Sequence, residues 1–241
     1  MPSEQRPFAD LEQRLSLHFR EQRLLEQAFV HRSYLNEHPE FPIHHNERLE
    51  FLGDAVLELI VTEYLYETYP DAPEGDLTNW RASLVNSDTL GTIATELGLE
   101  TYLYLSRGER KDQNRRARQT ILANAFEALV GAIYLDQSYA TAKQFIATHV
   151  LPRLPYILEH KLYLDPKTRF QELAQERHGI TPTYRVIEER GPDHAKEFHI
   201  GVYLEETLIG SGHGASKQEA QERAAAQALE KTEQPTPPHA A

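Results

Sequence analysis

The run Asn46-Glu47-Arg48-Leu49-Glu50-Phe51-Leu52-Gly53-Asp54 sets three acids at spacings of three and four residues, just before the apolar stretch Ala55-Val56-Leu57-Glu58-Leu59-Ile60-Val61. At roughly 100° per residue, Glu47, Glu50 and Asp54 fall on one helix face in a stripe about 60° wide. Such a stripe can be the solvated side of an amphipathic helix. Its flanks argue for a functional centre instead, because Phe51 and Ala55 border it on one side and Leu57 and Val61 on the other. Ionised carboxylates among apolar neighbours are costly unless something cationic compensates them. Arg48 points off the stripe and cannot neutralise all three. A hard divalent cation with oxygen ligands is the economical compensator.

A second segment repeats the pattern. Ile121-Leu122-Ala123-Asn124-Ala125-Phe126-Glu127-Ala128-Leu129-Val130-Gly131-Ala132-Ile133-Tyr134-Leu135 carries two strongly polar residues, Asn124 and Glu127, three apart and on one face. They can be satisfied core polar groups. Packed against the first acidic face, they complete an all-oxygen site of the Mg²⁺ type, in which Mn²⁺ can substitute.

These segments belong to a helical pattern running from about Leu11 to His160, with three- and four-residue apolar spacings in Leu24 to Val30, Leu49 to Tyr66, Leu90 to Leu97, Ile121 to Leu135 and Ala142 to Leu151. Proline-bearing loops at 38–45 and 69–75, and the pair Pro152 and Pro155, break it. After Pro166 the pattern changes to a helix over Lys167 to His178, strands over Thr183 to Glu189, Glu197 to Leu204 and Thr207 to Gly212, and an Ala-rich helix over Ser216 to Lys231. The expected organisation is an all-α domain over 9–160, a linker over 161–165, a small α+β domain of order α-β-β-β-α over 166–232, and a disordered, proline-containing tail over 233–241.

Composition narrows the function classes. The chain has 241 residues and no cysteine, so disulfides and thiolate metal sites are excluded, and its twelve histidines show no zinc spacing. No apolar run long enough for a membrane span and no signal-peptide pattern occurs, so a cytoplasmic protein without membrane attachment is expected. The net charge of −12 argues against a polyanionic partner. Basic residues nevertheless cluster between Arg107 and Arg118, a stretch that reads as a solvated surface loop.

The run Asn46 to Asp54 resembles the signature of the ribonuclease III family at every position, and the resemblance extends over His31-Arg32-Ser33-Tyr34-Leu35-Asn36, the second acidic helix and the whole C-terminal domain. It implies an endonuclease domain in which Glu50, Asp54, Asn124 and Glu127 surround a catalytic Mg²⁺, with Glu47 facing the substrate and Phe51 helping to lock a homodimer. Asn124 departs from the family's commoner Asp. An amide oxygen can still hold the cation or one of its waters, but the site loses one negative charge and metal affinity should fall. The implied reaction is metal-assisted phosphodiester hydrolysis giving a 5′-phosphate and a 3′-hydroxyl. A metal-free route through the 2′-hydroxyl would lean on a histidine; His31 is the nearest, and it reads as a packing or hydrogen-bonding residue.

The C-terminal domain resembles a double-stranded-RNA-binding domain, which reads A-form duplex by shape. The resemblance places Thr168, Gln171, Glu172 and Gln175 at one minor groove, His194 in the turn reaching the next, and Ser216, Lys217 and Gln218 at the phosphates between. Gln218 stands where the family usually has a second Lys, with His213 and Arg223 as partial replacements, so modest RNA affinity is expected. The leading reading is a homodimeric, Mg²⁺-dependent nuclease cutting both strands of double-stranded RNA with short 3′ overhangs. The alternative is a duplex-RNA-binding regulatory protein whose cleavage is weakened or lost through Asn124.

Overall fold

The computed structural model describes residues 8–192 and 196–233, so the expected disorder of the tail concerns residues that, apart from Glu233, lie outside the described ones. Two compact units divide the chain at 159/160.

The first unit is helical. Its elements are α1 (Phe8–Leu15), α2 (Gln22–Ala28), α3 (Arg32–Glu37), α4 (Glu47–Thr68), α5 (Glu74–Val85), α6 (Ser87–Glu96), α7 (Arg107–Lys111), α8 (Arg115–Asp136), α9 (Tyr139–His149) and α10 (Leu154–Glu159). The long α4 and α8 form its centre, with α6, α2 and α9 packed around them. Along α4 the residues Leu49, Val56, Leu57, Ile60, Val61 and Leu65 are buried; α8 contributes Leu122, Phe126, Leu129, Val130 and Ile133.

The ends of these helices are fixed locally. Asn46 is buried before α4, where its backbone N–H donates to the Val30 carbonyl at 2.9 Å and its Nδ2 to the Ala28 carbonyl at 3.1 Å. At the start of α8 the Asn114 Oδ1 accepts from the N–H groups of Arg116 and Ala117, an N-cap satisfying two orphan donors. Asp136, the last residue of α8, accepts from the backbone N–H of Arg20 at 3.0 Å and of Glu21 at 2.8 Å, anchoring the entry to α2.

One expectation needs correction. The basic stretch between Arg107 and Arg118 is not a loop: α7 and the first turn of α8 take up most of it, because Ser106 and Asn114 each cap a helix there. The helix α5 escaped the apolar-spacing reading, since Leu77, Trp80, Leu84 and Val85 make a weak pattern that only packing against α4 supports.

The second unit has the order α11 (Pro166–His178), β1 (Thr183–Arg190), β2 (Glu197–Leu204), β3 (Thr207–Gly214) and α12 (Lys217–Glu233), with an antiparallel sheet of order β1-β2-β3. Asp165 caps α11 through Lys167 and Thr168, and Pro166 occupies the first helical position. The core joins Phe170, Val202, Ala224, Ala225, Ala228 and Leu229. Here β3 presents Gly210, Gly212 and Gly214 to α12; an added Cβ would come within 2.5–2.6 Å of the α12 backbone, so the Ala-rich helix lies directly on the strand. Strand β3 and α12 each extend two residues beyond the expected ends.

Candidate active site

Two glycines set the centre of the first unit. A Cβ on Gly53 of α4 would stand 1.8 Å from the carbonyl oxygen of Glu127 and 2.9 Å from the Gly131 nitrogen; one on Gly131 of α8 would stand 2.3 Å from the Leu49 carbonyl oxygen. The two helices therefore meet backbone to backbone, a contact that only residues without a side chain allow. Glu50 and Asp54 flank the crossing on α4, Asn124 and Glu127 on α8.

These four residues act on one another. The Asn124 amide hydrogen-bonds the Glu50 carboxylate, while burial and the charges of Glu47 and Asp54 push the Glu50 carboxyl above its ordinary range. Burial, followed by the charges of Asp54, Glu50 and Glu58, raises Glu127 to about 8. Acidic groups thus crowd a half-buried place.

The enclosure is one-sided. Glu50, Asn124 and Glu127 are half-buried, whereas Glu47 and Asp54 are exposed. Leu57 and Val61 are buried as expected, but Phe51 is 82% exposed and Ala55 is exposed too. The expectation of apolar walls on both flanks fails on the Phe51 side, because no element of the described chain packs against that face of α4.

The donor set suits a hard cation: three carboxylates and one amide oxygen, with two of the carboxyls held up in pKa by burial first and by neighbouring negative charge second, both of which a divalent ion would offset. Among the described residues no group of three or more His, Asp and Glu is already converged as a metal cage. A partial set is compatible with Mg²⁺, which keeps several waters and typically takes one or two carboxylates together with substrate phosphates.

Glu47 lies 3.4 Å from an Arg32 guanidinium nitrogen and 3.7 Å from His45 Nδ1. His31 acts structurally, since its Nδ1 accepts from the Ser33 N–H as the N-cap of α3, and burial chiefly lowers its pKa.

In the second unit Thr168, Gln171, Glu172 and Gln175 are exposed on α11, and Ser216, Lys217 and Gln218 are exposed around the start of α12. Lys167 Nζ donates to Gln221 Oε1 at 2.7 Å and ties the first turn of α11 to α12. His194 lies outside the described residues. The basic groups are largely engaged: Lys217 pairs with Glu189 at 3.0 Å and lies over the Phe198 ring, and Arg223 pairs with Glu219 at 2.6 Å. His213 does not replace the missing lysine. It is paired with His199, whereas the neighbouring pair Phe198 and Gly214 faces Lys217 and α12, so both imidazoles project from the opposite face of the sheet.

A ribonuclease-III-like family model matches residues 21–154, more than half of the chain, and covers both acidic helices. The chain belongs to the ribonuclease III family. A double-stranded RNA binding motif matches residues 166–232. Ribonuclease 3 of Pelotomaculum thermopropionicum is 44% identical over 97% of this chain and 96% of its own, and that of Chloroflexus aurantiacus 47% identical over 92% and 90%. Among solved structures, the nuclease domain of ribonuclease III from Campylobacter jejuni is 37% identical with a TM-score of 0.53, covering 60% of this chain and 96% of that one; it is described for flexibility in a region involved in dimer formation.

Within the ribonuclease III fold, the residues missed by sequence reasoning are Glu58, Arg32 and His45. Glu58 stands one turn beyond Asp54 and could have been found as an i+4 continuation of the stripe. Arg32 and His45 meet Glu47 only through the chain path that brings α3 beside the start of α4.

Proposed function

We propose that this protein is a cytoplasmic, homodimeric endoribonuclease that hydrolyses double-stranded RNA with Mg²⁺, or Mn²⁺ in its place, leaving 5′-phosphate and 3′-hydroxyl ends with short 3′ overhangs. Its substrates are precursors of ribosomal RNA and other structured transcripts. The observation that carries the reading is the grouping of Glu50, Asp54, Asn124 and Glu127 at the Gly53–Gly131 crossing, in a chain that also holds a double-stranded RNA binding motif.

In this reading Glu50, Asp54, Asn124 and Glu127 would hold the cation, which when bound supplies an activated water and stabilises charge on the phosphoryl oxygens. Glu127, raised to about 8, would give up its proton as the cation binds, and Asn124 orients Glu50 by its hydrogen bond. Glu47, exposed and set beside Arg32, faces the substrate backbone. Thr168, Gln171, Glu172, Gln175, His194, Ser216, Lys217 and Gln218 supply the duplex contacts. The homodimer is supported by Phe51, Leu59 and Tyr66, which are 82%, 51% and 74% exposed along one side of α4. Exposed large apolar groups in one stripe mark an interaction surface.

Incubating the purified protein with end-labelled duplex RNA tests the reading. Cleavage in Mg²⁺ and none after chelation is expected. Full-length duplex that stays bound under saturating Mg²⁺ would instead favour RNA binding without cleavage, the outcome to which the lost charge at Asn124 points.

A further inference from the structure

We propose that His199 and His213 form a two-ligand site for a transition-metal cation that prefers imidazole, such as Zn²⁺, Ni²⁺ or Cu²⁺, on the open face of the three-stranded sheet. The two residues are directly opposite in the β2–β3 register, and their rings are stacked with centroids 4.0 Å apart and planes 12° apart. No hydrogen bond among the described residues engages either ring.

The separation of the two rings is within reach of a chelate. Imidazole nitrogens bind Zn²⁺ at about 2.0–2.1 Å, so two ligands at a tetrahedral angle have nitrogens about 3.3 Å apart. Rings stacked at 4.0 Å aim their in-plane lone pairs nearly parallel, so both side chains must turn by tens of degrees to converge on one ion, while the β2–β3 ladder keeps the strands in place. Because the ladder fixes both Cα positions, the second imidazole binds as an intramolecular ligand at high effective concentration. His213 is exposed and His199 half-buried, leaving room for solvent to complete the coordination.

Charge on this face is mixed, with Arg185 and Arg190 beside the acids. Glu188 lies opposite His199 in the β1–β2 register, and Glu197 lies opposite Arg190. Glu188 is tied to Arg190 at 2.6 Å, in keeping with the absence of any three-ligand group among the described residues. The site is thus a pair. It differs in chemistry from the oxygen centre of the first unit: borderline cations prefer imidazole, whereas Mg²⁺ prefers carboxylate and water. It faces away from α12, whose first turn belongs to the proposed RNA surface.

Calorimetric titration of the full chain with Ni²⁺, in excess Mg²⁺ to occupy oxygen sites, tests the pair against His199→Asn, His213→Asn and the double variant. One class of sites is expected in the parent protein, weakened at least tenfold by either substitution and no further by both. Circular dichroism and duplex-RNA binding should stay unchanged, showing that the variants fold. Parent-like affinity in either folded variant would overturn the proposal. So would small, additive losses, which indicate independent single histidines.

Discussion

Gly53 faces the Glu127 carbonyl so closely that a methyl group on its α-carbon would stand 1.8 Å from the oxygen. This contact ties architecture to chemistry, because the helices must touch there for Glu50 and Asp54 to share a place with Asn124 and Glu127. Gly53→Ala therefore separates two arguments. Helix propensity alone predicts stabilisation by about 1 kcal/mol. The steric argument predicts a loss of about 3 kcal/mol from overpacking. Thermal unfolding is expected to show the loss, together with greatly reduced cleavage.

Glu127 should make the metal-free protein sensitive to pH. Its carboxyl is raised from 4.5 to about 8 in the folded chain, so between those values the folded state binds the proton more strongly than the unfolded state. Stability from this group is present below about pH 4.5 and is lost as pH rises toward about 8. Glu127→Gln removes the titration. In chelator at pH 8.5 the variant should melt above the parent by about 2–4 °C for each kcal/mol recovered, and the difference should vanish near pH 4.5. A pH-independent difference would contradict the assignment.

Asn124→Asp adds a fourth carboxylate and removes the amide donor to Glu50. The expected result is a several-fold lower Mg²⁺ concentration at half-maximal cleavage, with lower stability in chelator, where one more like charge is uncompensated. Cleavage measured against Mg²⁺ for both proteins decides the matter. Coincident curves would remove Asn124 from the metal set.

Phe51→Asp places a charge in the exposed apolar stripe of α4. Sedimentation should show a shift from dimer toward monomer, with folding retained because Phe51 makes little contact within its own chain, being 82% exposed. An unchanged dimer would move the interface elsewhere.

Gln218→Lys restores a cation beside Lys217 at the start of α12. Duplex-RNA affinity should rise, and the slope of log affinity against log salt should steepen by about 1. Glu189→Gln, which releases Lys217 from its ion pair, should act in the same direction.

Much of the site was legible because its residues are constrained locally. Glu47, Glu50 and Asp54 share a face by helical period alone, and Asn124 and Glu127 stand out in a helix otherwise composed of apolar residues and glycine in its central turns. The strand boundaries of the second unit were also legible, from alternation and turn residues. What stayed hidden depends on partners distant in the chain. Arg32 and His45 reach Glu47 through loops whose path no periodicity encodes. The stretch from Arg107 to Arg118 became helical because Ser106 and Asn114 cap it, a local signal outweighed by its charge in a pattern reading.

Sequence alone determined the helix faces, the two-part organisation and the residue types able to bind a hard cation, since these follow from periods and chemistry carried by neighbouring residues. Only the tertiary structure decided which side of the acidic stripe is walled and which is open. That choice depends on the Gly53–Gly131 crossing, where two backbones approach within the space of a single methyl group, and on the absence of any described element packed over Phe51.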